Sequence, residues 1–206
     1  ITPKIGPTLL KHDIVPSSVA PSKCDPAYFS AGRVRALRHS EIKQLEQQFI
    51  DGAVRVKKAG CDGVELHSSH GYLLQQFLSP VTNQRTDEYG GSLENRMRFI
   101  LNIIKGIKAA CGEDFPLIVR LTVDECYERI GQPGKGYTLE EGVEIARRLE
   151  KAGIDAIDVS SAGYDTFNYW LEPVSFEPGW RKYMAQAVKE AVSIPVIAAN
   201  LIRSPE

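Results

Sequence analysis

Apolar residues follow two alternating patterns along most of the chain. Longer segments place them three and four residues apart, which gives a helix a single apolar stripe. Short, almost wholly apolar runs follow these segments and predict buried strands, at residues 63–66, 117–121, 156–159 and 195–199. Four helix–strand units with near-continuous apolar strands are typical of an α/β protein whose parallel sheet is covered by helices.

Start and stop signals delimit the predicted helices. Ser40 is the predicted N-cap of the first helix, and Ser92 that of the second, which Gly112 ends. Thr138 and Glu141 have the spacing of a capping box at the start of the third helix. The pattern does not separate an open doubly wound sheet from a closed barrel, although no strand is followed by the glycine-rich turn of dinucleotide-binding folds.

The first part of the chain differs from the rest. Residues 1–39 have no sustained period and contain five prolines, which favour an extended or looped path. We predict that residues 1–206 form part of one domain, in which residues 40–206 hold the four helix–strand units. Because the chain does not begin with Met and its last residues resemble the start of a helix, we interpret it as a piece of a longer protein.

Composition excludes several classes of partner. The formal net charge is -1, so neither nucleic acid nor a membrane surface is indicated. No apolar run approaches the roughly 20 residues of a membrane helix, and no secretory leader is visible. The four cysteines are scattered and form no C-x-x-C pair, which argues against zinc or an iron–sulfur cluster within this segment. We therefore expect a cytoplasmic enzyme with free thiols.

Polar and titratable side chains are concentrated directly after the first predicted strand. His67 and His70 lie three residues apart, and Tyr72 follows them. Loops at the ends of parallel strands carry the ligand sites of α/β folds. A metal site at the histidine pair is disfavoured, because no third ligand is signalled and the motif H-E-x-x-H is absent. The structural alternatives are a histidine satisfied within the core and a tyrosine packed on the rim.

The same stretch carries a family resemblance. The run HSSHGYLLQQFLSP, continued by NQRTDEYGGSLENRMRF, resembles the signature of the Old Yellow Enzyme family, the NAD(P)H:flavin oxidoreductases built on FMN-bearing TIM barrels. The later stretch GYDTFNYWLEPVSFEPGWRKYM is similar to the anaerobic enoate, dienoyl-CoA and bile-acid-type reductases. The resemblance implies a partial (β/α)8 barrel, approximately strands four to seven with their helices.

The resemblance also implies catalytic roles for the three clustered residues. Residues at the positions of His67 and His70 donate hydrogen bonds to the carbonyl or carboxylate oxygen of the substrate. Negative charge develops on this oxygen as hydride adds to the β-carbon. The residue at the position of Tyr72 delivers a proton to the α-carbon, which suits a phenol because phenols are protonated at neutral pH.

Arg120 interrupts an otherwise apolar predicted strand. A buried arginine is costly without an anionic partner. The resemblance places the matching arginine at the N1/O2 edge of the flavin, where the reduced ring carries negative charge. The alternative is a salt bridge with Asp124 or Glu125.

Three further residues are implicated at the ends of the later strands. Ser161 and Asn200 match positions that contact the cofactor, although family members often carry glycine where Asn200 stands. Asparagine tolerates positive φ better than most residues, so the turn can persist there. Tyr164 belongs to an aromatic loop that is expected to cover the substrate, and packing against neighbouring loops or a partner subunit is the alternative.

The function implied is that of an FMN-dependent NAD(P)H oxidoreductase. It would reduce the C=C bond of α,β-unsaturated carbonyl, enoate or enoyl-thioester substrates. Two alternatives stay open, an FMN-dependent amine dehydrogenase on the same barrel and an inactive barrel fragment that binds no flavin. An iron–sulfur cluster or FAD, as in the larger anaerobic relatives, would belong to parts of the protein outside this segment. The expected partner is a small molecule, and a homo-oligomer is left open.

Overall fold

A computed structural model of the chain describes residues 18–23 and 34–204. In chain order its elements are β1 (Ser18–Ala20), β2 (Val34–Ala36), α1 (His39–Lys58), β3 (Val64–Ser68), α2 (Leu73–Leu78), α3 (Leu93–Cys111), β4 (Leu117–Thr122), α4 (Leu139–Lys151), β5 (Ala156–Ser160), α5 (Lys182–Ala191) and β6 (Val196–Ala198). Two 3₁₀ turns, Glu128–Ile130 and Tyr164–Tyr169, lie in the loops after β4 and β5. None of the helices in these ranges is both long and apolar enough to cross a bilayer.

The main sheet is parallel throughout and keeps the chain order β3-β4-β5-β6. Helices connect successive strands, so the predicted α/β fold is confirmed. Each predicted strand also agrees with an observed one to within one or two residues at either end. The consecutive order lacks the strand reversal of a doubly wound sheet and is that of part of a (β/α)8 barrel.

Side chains alternate between the two faces of this sheet. Leu66 and Val119 are buried on the outer face, within the apolar core that the helices complete. The register places His67, Arg120 and Asp158 side by side across the inner face of β3, β4 and β5. A polar row therefore crosses the inner face near the carboxyl ends of the strands, where barrels build their ligand sites.

Helix α3 has the boundaries that its sequence predicts. The Ser92 hydroxyl accepts the Asn95 backbone N–H at 3.3 Å, and Gly112 ends the helix with a φ of 92°. Met97 and Ile104, on the predicted apolar stripe, are fully buried. Capping and stripe together orient the helix against the sheet.

The predicted cap of α1 is wrong by two residues. Arg38, and not Ser40, occupies the N-cap position. The Glu41 carboxylate accepts the Arg38 backbone N–H at 2.8 Å, so a side chain of the first turn stabilises the start of the helix.

The predicted capping box of α4 is also wrong. Thr138 is the N-cap residue, but its side chain makes no capping hydrogen bond. Glu141 instead pairs with Arg96 of α3 at 3.0 Å. Because the Glu141 carboxylate pairs with Arg96, it does not form the capping box.

Two features of the fold have no clear signal in the sequence pattern. Strands β1 and β2 pair in parallel within the segment for which the prolines predict a looped path. Helix α2 begins directly after Tyr72, whose side chain makes no capping hydrogen bond. This short helix follows the histidine pair and, as described next, holds the turn that carries it.

Candidate active site

His67, His70 and Tyr72 converge at the carboxyl end of β3. The ring centroids of His67 and His70 are 5.1 Å apart, and those of His67 and Tyr72 are 5.2 Å apart. His67 is the fourth residue of β3, and Tyr72 is the N-cap of α2. A strand end and a helix start thus bring the three predicted side chains into one cluster.

The turn between the strand and α2 is held at both backbone groups of Gly71. His70 and Gly71 have φ values of 59° and 74°, in the left-handed region. The Gly71 N–H donates to Gln75 Oε1 at 2.6 Å, and its carbonyl accepts from Gln76 Nε2 at 2.7 Å. Two glutamine side chains of α2 therefore fix a backbone conformation that a non-glycine residue such as His70 rarely adopts.

An aromatic loop after β5 covers this cluster. Trp170 stacks on His70, with centroids 4.4 Å apart and an angle of 11° between the rings. The Tyr164 ring lies 6.0 Å from that of Tyr72, and the two side chains are hydrogen-bonded. A Cβ at Gly71 would approach a Tyr164 ring carbon to 2.8 Å, so only glycine lets the loop lie this close. The aromatic loop thus packs directly against the histidine–tyrosine cluster.

Burial keeps both imidazoles of the cluster neutral. Burial, followed by the charge of Arg120, lowers the pKa of His70 to about 3. The same two causes, in the same order, lower the pKa of His67. His70 Nε2 lies 2.6 Å from Ser160 Oγ, which orients the ring. Each neutral imidazole has one N–H to donate.

Among residues 18–23 and 34–204, no three His, Cys, Asp or Glu side chains are gathered to hold a metal ion.

Arg120 pairs with an acid that the sequence did not suggest. Its Nε lies 3.2 Å from Asp158 Oδ2, whereas Asp124 and Glu125 accept hydrogen bonds from backbone N–H groups in the loop after β4. The expected alternative partners are therefore wrong, and the ion pair joins β4 to β5. Arg120 Nε and Asp158 Oδ1 are buried without a hydrogen bond in this arrangement.

The environment of Arg120 on the inner face of the sheet is suited to an anionic ring. The side chain is 28% exposed and stands beside His67 in the sheet register. A guanidinium with unused donors facing the barrel interior suits the N1/O2 edge of a flavin, which becomes negatively charged on reduction.

Ser161 and Asn200 lie at the ends of β5 and β6, with side chains that bond to the protein. The Ser161 hydroxyl donates to the Tyr169 carbonyl at 2.7 Å and accepts from Arg181 Nη1 at 2.8 Å. Asn200 has the positive φ expected of it, 78°, and its Nδ2 donates to Glu172 Oε2 at 2.9 Å. Both side chains bond to residues of the aromatic loop or its end.

Arg129 joins the loops after β4 and β5. Its guanidinium lies 5.8, 5.2 and 5.8 Å from the ring centroids of Tyr169, Trp180 and Tyr183. It also donates to the Tyr183 hydroxyl at 2.7 Å. The cation–π contacts with Tyr169 and Trp180 tie the first 3₁₀ turn to the aromatic loop, and the contacts with Tyr183 tie it to the start of α5.

Sequence reasoning missed two acids near the cluster. Asp158 is the only charged residue of β5, the same kind of signal that marked Arg120 in β4, and it was overlooked. For Glu125 the sequence suggested only a salt bridge with Arg120 and gave no sign of its burial, because an acidic residue in a loop is ordinarily solvated. The structure buries it to 5% exposure behind α2.

The sequence matches known proteins over nearly its whole length. The model of the NADH:flavin oxidoreductase / NADH oxidase family matches residues 4–206. The chain is 50% identical over 188 residues to an NADH oxidase of Thermoanaerobacter brockii, covering 91% of this chain and 28% of that protein. It is 38% identical over 204 residues to a cinnamate reductase of Clostridium sporogenes, covering 92% of this chain and 30% of that protein. The chain thus spans less than a third of either relative.

Solved structures share the fold. A 2-naphthoyl-CoA reductase in complex with 2-naphthoyl-CoA has a TM-score of 0.83 and 33% identity, covering 91% of this chain and 28% of that one. A histamine dehydrogenase from Rhizobium sp. 4-9 has a TM-score of 0.77 and 32% identity, covering 94% and 27%. An old yellow enzyme homologue from Zymomonas mobilis has a TM-score of 0.67 and 27% identity, covering 88% of this chain and 50% of that one. This likeness and the strand order together confirm the partial barrel. The chain belongs to the NADH:flavin oxidoreductase / NADH oxidase family.

Proposed function

We propose that the full-length protein is a cytoplasmic, FMN-dependent NAD(P)H oxidoreductase that reduces the C=C bond of α,β-unsaturated carbonyl, enoate or enoyl-thioester compounds. The observation that carries the proposal is the convergence of His67, His70 and Tyr72 beside Arg120. FMN, once reduced by NAD(P)H, supplies the hydride that adds to the β-carbon. Two similar proteins are named as reductases of cinnamate and of 2-naphthoyl-CoA, both conjugated acyl compounds.

The two histidines would hold the oxygen of the substrate. Neutral imidazoles donate hydrogen bonds without bringing a full charge into a half-buried site. Negative charge grows on that oxygen during hydride addition, so fixed donors stabilise the transition state more than the bound substrate. Ser160 and the stacked Trp170 restrict rotation of the His70 ring and so pre-organise this contact.

Tyr72 would supply the proton. One hydride at the β-carbon and one proton at the α-carbon complete the reduction, and solvent returns a proton to the phenol afterwards. The hydrogen bond to Tyr164 holds the Tyr72 ring in place. Ser161, Asn200 and Arg120 are the proposed cofactor contacts, and Tyr164 is a proposed substrate contact.

Replacing Tyr72 by Phe tests this assignment. In the FMN-loaded full-length protein we expect NAD(P)H to reduce the flavin at an unchanged rate. Reoxidation by an enone or enoate should slow about hundredfold, because the general acid is missing. Stopped-flow absorbance follows both half-reactions, with Tyr89→Phe as a matched control, since that buried phenol bonds to Glu46 away from the cluster. Equal reoxidation rates in both variants would refute the role of Tyr72.

An amine dehydrogenase is the second candidate, favoured by the likeness to histamine dehydrogenase. The charges near the cluster argue against it. Arg120 lowers the pKa of both histidines, and the Asp158 carboxylate beside it is already paired with it, so a cationic amine would meet a positive charge next to the cluster. Anaerobic mixing separates the two, because an amine substrate would bleach the oxidised flavin whereas an alkene would restore the colour of the reduced flavin.

A further inference from the structure

A buried carboxylate lies behind the turn that carries the cluster. Glu125 follows β4 and is 5% exposed. Its Oε2 accepts from Ser79 Oγ at 3.0 Å and from the Tyr137 backbone N–H at 2.9 Å, and its Oε1 accepts from Gln75 Nε2 at 3.4 Å. Three donors thus converge on one side chain, which matches an ionised carboxylate because that group only accepts.

Gln75 links this carboxylate to the turn. Its Oε1 accepts the Gly71 N–H at 2.6 Å while its Nε2 points to Glu125. A backbone N–H can only donate, so the carbonyl of Gln75 must face Gly71 and its amide must face an acceptor. The acceptor at Glu125 therefore determines the orientation of the Gln75 amide that holds Gly71.

We propose that Glu125 is a positioning residue, which acts through Gln75 to hold the Gly71 peptide and thereby the placement of His70 and Tyr72. The inference rests on the proposed roles of those two side chains. Glutamine at position 125 would bring a second amide against the donors, and one hydrogen bond of the network would be lost. The turn would then sample other conformations, and the proton donor would no longer stand in its reactive position.

The charge state of Glu125 makes the network sensitive to pH. Burial raises the pKa of its carboxyl to about 7, although backbone and side-chain donors and the charge of Arg96 oppose that rise. Arg96 on α3 is the charged group that faces it, and Tyr127 and Tyr137 are the phenols beside it. Burial raises the pKa of both phenols well above the usual value, so they stay neutral. Protonation of Glu125 removes an acceptor and weakens its hold on Gln75.

The test uses the FMN-loaded full-length protein with Glu125→Gln, Gln75→Met and the double variant. Glu46→Gln is the matched control, because Glu46 is 6% exposed and accepts from Tyr89 and Asn102 away from the cluster. We expect each single variant to slow reoxidation by an alkene about tenfold, with little change in the flavin reduction rate. The double variant should be within about twofold of the slower single one, because both act through the same chain of bonds.

The pH profile gives a readout that general destabilisation would not produce. In the wild type and in Glu46→Gln, the reoxidation rate should rise with pH near pH 7, and in Glu125→Gln this step should vanish. Multiplying effects in the double variant, or a step that survives in Glu125→Gln, would overturn the proposal. If Tyr72→Phe is also without effect, the proposed function fails; if Tyr72→Phe slows reoxidation and Glu125→Gln does not, only the positioning role fails.

Discussion

Burial shifts the pKa values of two ionisable side chains of the site in opposite directions. The pKa of His70 falls to about 3 and that of Glu125 rises to about 7, in each case mainly because burial disfavours the charged form. At neutral pH the histidine is a neutral donor, whereas the glutamate is close to half ionised. His70 is therefore expected to stay neutral over a wide pH range, whereas the charge of Glu125 behind it changes near neutral pH.

The raised pKa of Glu125 predicts a pH dependence of stability. The folded state holds the proton on Glu125 more tightly than the unfolded state, in which the carboxyl has its ordinary pKa of 4.5. The carboxyl therefore adds to the free energy of unfolding below pH 4.5, and this addition is lost as the pH rises through about 7. Relative to Glu125→Gln, the wild type should lose about 2–3 kcal/mol of unfolding free energy between about pH 5 and about pH 8. Urea unfolding at both pH values measures this, and a constant difference would contradict it.

Removing the cover over His70 should raise the pKa of that side chain. Trp170→Ala exposes the imidazole to water, which relieves the largest cause of the shift. We expect the value to rise by at least about one unit but to stay below 6.5, because the Arg120 charge remains. An NMR titration of the imidazole protons measures it. Trp180→Ala, the other tryptophan of the chain, should leave the value unchanged.

At the scale of elements, local signals predicted whatever is determined locally. The strands β3 to β6 and the Ser92 cap follow from apolar runs and a hydroxyl in the right place. The errors at Ser40 and Glu141 arise where a carboxylate has a partner that the local pattern does not show. Glu41 accepts the Arg38 backbone N–H, and Glu141 pairs with Arg96, which is distant in the sequence. Helix α2 could not be predicted, because six residues are too short for a 3.6-residue period to show.

The packing of α4 makes a glycine substitution costly. A Cβ at Gly142 would lie 1.9 Å from the Val123 carbonyl oxygen, and backbone cannot give way as a side chain can. Gly142→Ala should therefore lower the unfolding free energy by about 2 kcal/mol or more. Gly52→Ala in α1, whose new Cβ meets nothing closer than 4.0 Å, should instead raise it by about 0.5–1 kcal/mol. Thermal unfolding of the two variants checks this, and equal shifts would refute the packing argument.

At the scale of the molecule, the site depends on how the strands are aligned. His67, Arg120 and Asp158 come from three strands and meet only because the register places them in one row. Sequence patterns identified the first two residues but contain no information on register, so the Arg120–Asp158 pair could not be predicted. The family resemblance predicted the barrel, whereas the hydrophobic periodicity alone predicted only a parallel sheet.

The inner face of the sheet predicts that flavin binding needs more than these strands. Ile197 of β6 is 42% exposed on the face that carries Arg120, and the described residues place no further strand beside β3 or β6. We expect the 206-residue chain by itself to bind FMN at least about hundredfold more weakly than the full-length protein, a difference of about 2.7 kcal/mol. Fluorescence titration of FMN with each form measures both affinities, and equal affinities would contradict the expectation.

The Arg129 contacts have a consequence for how a ligand enters. The Arg129 guanidinium packs against the Tyr169 and Trp180 rings of the loop after β5, whereas its own backbone belongs to the loop after β4. The two segments should therefore open as a single cooperative unit. Amide hydrogen exchange would then report one shared opening free energy for Glu128–Ile130 and Tyr164–Tyr169. In Arg129→Ala the two segments would open independently. Access of bulky molecules to the histidine pair would then depend only on the opening of the aromatic loop.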